Sequence, residues 1–232
     1  MDRFPADFAD FLSPAGRRVL DGKLVLRAEP FLARPDLIAP AKAKAAFALL
    51  ERALGPVVRP LDRAIPPESI LNQTRNYQER LPKTVRVRTA DLDGARGKAR
   101  DAARATGLET MLMSPSFRDF ATALAGRKLT RGFGRQALRY GPGDYSGPHT
   151  DHHPEDPGAK DGYFDLHLSF VGGGATRQLL VYAKDGHLSE TVDVAVPGLV
   201  SAYRLPFWHY TTPLEGKPSA ARWLILGTFY FA

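Results

Sequence analysis

His149 and Asp151, separated by Thr150, and His209, 58 residues beyond Asp151, have the types and spacing of a metal site. Two imidazoles and one carboxylate on one face of an ion leave its other positions open, a pattern suited to non-heme Fe(II). In a strand, residues two apart point to the same side, so His149 and Asp151 can converge on one ion while Thr150 turns away. The chain has no cysteine, which excludes disulfides and thiolate ligation, so any metal must sit on His, Asp or Glu. The triplet alone is a weak signal. Its meaning comes from the order of features around it.

That order begins with Tyr140-Gly-Pro-Gly-Asp, then the triplet, then Gly172-Gly-Gly174 before the apolar run Leu179-Leu-Val-Tyr182. Pro197-Gly198, Leu199-Val-Ser-Ala-Tyr203, Trp208-His209, Pro213, Gly216 and Arg222-Trp-Leu-Ile-Leu follow. As a set these resemble the catalytic domain of the 2-oxoglutarate/Fe(II)-dependent dioxygenases, in the prolyl-hydroxylase-like branch. The resemblance covers about residues 130–232, with a weaker echo at Leu24–Leu32, where that branch often opens with a strand leading into a helix.

The resemblance implies Fe(II) and 2-oxoglutarate as cofactors, and O2 as a co-reactant. It implies oxidation of an unactivated C–H, expected as a hydroxylation, with release of succinate and CO2. His149, Asp151 and His209 become the metal ligands and catalytic centre. Arg222 is the candidate anchor for the far carboxylate of 2-oxoglutarate, because an arginine fork pairs bidentately with carboxylates and keeps its charge. It lies 13 residues after His209, a longer gap than the family's usual one. Lys217 is therefore a rival unless Lys217-Pro-Ser-Ala-Ala is an enlarged turn. Tyr140 stands near the family's cosubstrate-binding tyrosine, with Tyr145 as a second possibility, and Thr228 adds a hydroxyl on the same strand face as Arg222. The nucleic-acid demethylase branch carries a second arginine six residues after the first. Thr228 occupies that position here, which disfavours that branch.

Other metal-binding types crowd the same region: His152, His153, Asp156, Asp165 and His167. His153 is followed by Pro154-Glu-Asp-Pro and reads as loop. Asp165 and His167 alternate with Phe164, Leu166, Leu168 and Phe170 in Tyr163–Val171, a strand with one polar face. The alternation does not say which face points inward. An apolar pocket lining is expected from Leu168, Phe170, Leu180 and Leu224.

The elements that must hold these residues fall into two textures. Residues 36–54 carry an apolar stripe through Ile38, Ala45, Leu49 and Leu50, a helix begun at Pro35-Asp36 and stopped by Gly55-Pro56. Residues 55–82, with five prolines, read as irregular connection. Asp91–Thr106 and Ser114–Ala125 read as two more helices, the second capped by Ser114 ahead of Pro115. From Leu129 the period changes to two, with strands expected at Arg135–Tyr140, Gln178–Ala183, Thr191–Val196, Leu199–Arg204, Trp208–Thr212 and Arg222–Phe231. The fold class is α+β: a double-stranded β-helix, or jelly roll, over residues 129–232, carrying a mainly helical support region over residues 1–128, the two expected to pack as one compact domain.

Composition bounds the rest. A chain of 232 residues, 44% of them hydrophobic, buries one good core. No apolar run approaches the ~20 residues needed to cross a bilayer, and the start Met1-Asp-Arg-Phe-Pro lacks the pattern of a secretory signal, so a cytoplasmic location is expected. The formal charge is +7, with nine basic against four acidic residues over 75–104 and five against none over 127–139. Without interleaved aromatics this reads as a solvated basic surface, so a nucleic-acid partner is not expected. The expected substrate is a peptide prolyl residue, an amino acid or a small metabolite. The competing readings are a metal-dependent jelly-roll enzyme that does not use 2-oxoglutarate and a basic nucleic-acid-binding module.

Overall fold

A computed structural model describes residues 1–64, 84–94, 96–150 and 162–232. The first elements are helix α1 (Pro14–Leu20), strand β1 (Phe31–Arg34), helix α2 (Pro40–Ala53) and strands β2 (Arg59–Ala64) and β3 (Thr84–Asp91). Helices α3 (Lys98–Ala105), α4 (Leu108–Leu112) and α5 (Pro115–Ala125) follow. Then come β4 (Leu129–Tyr140), β5 (Tyr145–Ser146), β6 (Tyr163–Gly172), β7 (Ala175–Arg177), β8 (Leu179–Lys184) and β9 (His187–Asp193). Strands β10 (Val200–Leu205), β11 (His209–Thr211), β12 (Glu215–Gly216) and β13 (Ala221–Phe231) complete the chain.

A large antiparallel sheet runs in the order β1-β10-β6-β13-β4-β3-β2, with β5 also on β3. A smaller sheet of β11-β8-β9 covers part of its inner face, and β12 pairs β7. This curled, two-sheet arrangement is a jelly roll on a helical layer, the expected fold class. The helices lie on the outer face of the large sheet. Phe8, Phe11, Leu49, Leu50, Phe117 and Phe120 pack there with Phe164, Leu166, Leu168, Phe170, Trp223 and Ile225. The rings of Phe11 and Phe170 meet edge-on at 5.8 Å. Each such buried aromatic contributes roughly 1.5–3 kcal/mol by leaving water.

This packing settles the orientation of β6. Its apolar face serves the helical core, so Leu168 and Phe170 do not line the pocket as expected. Asp165, His167 and Ser169 face the interior of the roll instead. Both faces are buried, because an inner polar face is what a ligand-holding barrel requires.

Local chemistry explains the helix boundaries. Ser114 caps α5 by accepting from the Phe117 N–H, and Pro115 occupies the first turn. The helix expected from Asp91 begins only at Lys98. Residues up to Asp91 pair with β4, and the Asp91 carboxylate then accepts the Asp93 N–H, forming an Asx turn. Within the proline-rich stretch read as irregular, Arg59–Ala64 is an exposed edge strand against β3. An edge tolerates Pro60, whose missing N–H costs no internal ladder bond. Three strands before residue 129 thus extend the sheet on both flanks.

Candidate functional site

Between the two sheets lies a cavity of about 170 Å³. His149, His209, Arg222, Tyr140 and Thr228 all line it. Lys217 does not; it sits exposed in the turn between β12 and β13, where the Ala220 N–H closes on its carbonyl. Lys217-Pro-Ser-Ala-Ala is therefore an enlarged turn, and it accounts for the long gap to Arg222.

The histidines are held by backbone. The His149 N–H donates to the His209 carbonyl at 3.0 Å, and the His209 N–H returns the bond at 3.0 Å. This isolated antiparallel bridge sets the two residues directly opposite, with ring centroids 4.6 Å apart. His149 Nδ1 lies 2.6 Å from the Gly147 carbonyl, and His209 Nδ1 lies 2.8 Å from the Phe207 carbonyl. A carbonyl only accepts, so each Nδ1 carries a proton, and in the neutral form of such a ring the lone pair lies on Nε2. That is the tautomer a histidine needs to bind a metal through Nε2, with the carbonyl holding the ring in place.

Asp151 lies outside the described residues, as do His152, His153 and Asp156. Among the described residues no group of three His, Cys, Asp or Glu is placed to hold a metal ion.

Arg222 occupies the start of β13, cross-strand from Tyr140 on β4, and only 2% of it is exposed. Its Nε donates to Ser169 Oγ at 3.1 Å and its Nη1 to Gln178 Oε1 at 3.0 Å. The guanidinium carbon stands 5.2 Å from the centre of the Tyr140 ring. Gln178 is wholly buried, and its Nε2 donates to the carbonyls of Asp144 and Thr212. Both ends of that amide are therefore fixed, and its oxygen is held toward the arginine. Neither Ser169 nor Gln178 stands out in the sequence, because a clamping amide looks like any surface glutamine there.

Both hydrogen-bond partners of this guanidinium are neutral, and among the described residues the Asp193 carboxylate acts on it at longer range, without a direct ion pair. Burial pulls its pKa below the ordinary arginine range, down to about 10, so it stays a cation at neutral pH. A buried, oriented cation that faces a cavity with no carboxylate in direct contact is suited to receive an anion. The Tyr140 hydroxyl, bonded to Ser146 Oγ at 3.0 Å, lies at the same end. Thr228 is six positions further along β13, about 20 Å away at the rise of a strand, which is farther than a short diacid anchored at Arg222 reaches, so it lines the other end of the cavity.

No protein-family model matches this sequence, and no curated protein does. Solved structures match across nearly all of it. A prolyl-4-hydroxylase of Pseudomonas putida aligns over 94% of this chain and 99% of its own, with 15% identity and a TM-score of 0.51. The non-heme α-ketoglutarate-dependent epimerase SnoN of nogalamycin biosynthesis aligns over 94% and 83%, with 14% identity and a TM-score of 0.58. A 2OG-Fe(II) oxygenase-family oxidoreductase of Burkholderia pseudomallei aligns over 97% and 92%, with 14% identity and a TM-score of 0.50. The fold of this chain is that of the 2-oxoglutarate- and Fe(II)-dependent oxygenases, prolyl hydroxylases among them. No helix among the described residues is long and apolar enough to cross a membrane.

Proposed function

We propose that this chain is an Fe(II)- and 2-oxoglutarate-dependent oxygenase that hydroxylates an unactivated C–H of a small molecule or a peptide prolyl residue. The observation that carries this reading is Arg222: a buried cation with no carboxylate in direct contact, in the same cavity as two histidines whose Nε2 lone pairs suit a metal. His149, His209 and Asp151 would hold the ion, and Arg222 would take the remote carboxylate of 2-oxoglutarate. When bound, Fe(II) with 2-oxoglutarate and O2 supplies the oxidising power for C–H activation, releasing succinate and CO2.

The protein's own residues do the rest. Ser169 and Gln178 fix the plane of the guanidinium, so the diacid meets a preorganised fork. The Tyr140 ring and hydroxyl bound that end of the cavity, and Thr228 offers a hydroxyl from the other. Leu180 and Leu224 supply the apolar lining that limits water. The neighbours named above include a hydroxylase and an epimerase, so the same fold supports more than one oxidative outcome.

The test is conversion of 2-oxoglutarate to succinate by the purified protein. The reading predicts slow turnover without added substrate that requires both Fe(II) and O2 and disappears in His209→Ala. Succinate release that ignores the metal would refute it.

A further inference from the structure

Thr211 lies two residues beyond His209 on β11, so both side chains point from the smaller sheet into the cavity. It is 6% exposed, and its Oγ1 accepts the Ser146 N–H at 2.9 Å. A hydroxyl carries a donor as well as acceptor sites. Among the described residues no acceptor takes the Thr211 O–H, so this buried donor is left to the cavity.

Two separate contacts place that donor at the Arg222 end. Ser146, whose N–H Thr211 holds, shares a hydrogen bond with the Tyr140 hydroxyl at 3.0 Å, and Tyr140 is cross-strand from Arg222. On the other side, the carbonyl of the next residue, Thr212, accepts from Gln178 Nε2 at 3.1 Å. The oxygen of that same amide holds Arg222 Nη1. The larger sheet thus brings a fixed cation, and the smaller sheet a fixed hydroxyl, to one place.

A cation and an O–H donor that converge without an acceptor between them fit a carboxylate, whose two oxygens can accept from both. An ammonium group would be repelled by Arg222 and offers no acceptor. The spacing fits as well. Two residues of strand span roughly 7 Å, comparable to a five-carbon diacid, so such a molecule with one end level with His209 has its other end level with Thr211.

We propose that Thr211 is a further cosubstrate-binding residue, whose hydroxyl donates to the same remote carboxylate that Arg222 pairs with. This rests on the proposed function in taking that carboxylate as 2-oxoglutarate's. The Ser146 N–H fixes the acceptor side of the hydroxyl and turns its hydrogen toward the ligand, so the donor is set in place before the diacid arrives. Thr228, at the other end of the cavity, takes no part.

The experiment is calorimetric titration into the full chain, loaded with Fe(II) and free of O2. The ligands are 2-oxoglutarate and 2-oxopentanoate, which carries a methyl group in place of the remote carboxylate. Thr211→Val keeps the shape and removes the hydroxyl, and it should weaken 2-oxoglutarate about tenfold while leaving 2-oxopentanoate nearly unchanged. Thr211→Ser should restore most of the lost affinity, and Thr228→Val should bind both ligands normally. The loss should persist in a Ser146→Ala background, where the link to the Tyr140 hydroxyl is gone. If Thr211→Val does not fold, Thr211→Cys, a weak donor of similar size, takes its place. Equal weakening of both ligands, no weakening of either, or a loss that vanishes in the Ser146→Ala background would overturn the inference. Glutarate, titrated into metal-free protein, separates the two claims, because it has both carboxylates and no keto group. If glutarate depends on Thr211 while 2-oxoglutarate gains nothing from Fe(II), the carboxylate site stands and the proposed function fails. If 2-oxoglutarate gains from Fe(II) and no change at Thr211 matters, this inference alone fails.

Discussion

Replacing Gln178 by glutamate changes one amide nitrogen to oxygen and leaves the shape of the clamp intact. In the folded protein Gln178 Oε1 accepts from Arg222 Nη1 at 3.0 Å, so the new carboxylate would sit in direct contact with the guanidinium. The arginine would then have an internal counter-ion. A 2-oxoglutarate carboxylate docking on the far side of the planar fork would lie roughly 7 Å from the glutamate. Two like charges at that separation repel by about 2.4 kcal/mol at an effective dielectric of about 20. That corresponds to roughly fiftyfold weaker cosubstrate binding. The fold should survive: the carbonyls of Asp144 and Thr212 lose a donor, at about 1–3 kcal/mol, while the buried arginine gains a partner. Gln178→Met removes the clamp without adding charge and should weaken binding less than tenfold. The assay is calorimetric titration of 2-oxoglutarate into metal-loaded, O2-free protein, with thermal unfolding as the control. An unchanged dissociation constant in folded Gln178→Glu, or equal losses in both variants, would refute the electrostatic reasoning.

Three further predictions follow from the same geometry. Arg222→Ala should raise the 2-oxoglutarate dissociation constant about ten- to a hundredfold, Arg222→Lys should recover part of this, and Lys217→Ala should bind normally, all by the same titration. Loss in Lys217→Ala alone would mean that the anchor is misassigned, and no loss in any would favour a jelly-roll metalloenzyme that does not use 2-oxoglutarate. His149→Ala, Asp151→Ala and His209→Ala should each strongly weaken Fe(II) binding measured by equilibrium dialysis, whereas His153→Ala should retain it. Glu51 joins α2 to the sheet by accepting from Arg139 Nε and Trp223 Nε1, both at 2.7 Å. Burial pushes its pKa up, but these bonds and the Arg139 charge pull harder and leave it below 4.5. A carboxylate with a depressed folded pKa stabilises above its unfolded value and loses that contribution as pH falls through the folded one. Glu51→Gln should thus cost about 1–2 kcal/mol at pH 7 by urea unfolding, with the gap from the unaltered protein closing below about pH 4.5.

The sequence carries the strands after Leu129 plainly, because alternation and Gly/Pro turns are local signals. It carries the helix of residues 115–125 equally well, through Ser114 and Pro115. It does not orient Tyr163–Val171, since either face of an alternating strand can meet a core. Only the helices docking on Leu168 and Phe170 decide that Asp165, His167 and Ser169 face inward. Arg59–Ala64 escapes for a related reason: prolines argue against a strand in general, yet an edge position removes the penalty. Of the candidate site, the spacing of His149, His209 and Arg222 is visible in the chain, and the structure brings these residues to one cavity. The Gln178 clamp is not visible, because its partners come from residues 34 or more positions away.

The most direct measurement of the central claim is optical. Fe(II) and then 2-oxoglutarate are added to the protein without O2, while the visible spectrum is recorded. The account predicts a weak charge-transfer band that appears only when both are present, vanishes in His209→Ala, and in Arg222→Ala needs far more 2-oxoglutarate to develop. Fe(II) that binds while saturating 2-oxoglutarate leaves both the spectrum and the calorimeter silent would contradict it.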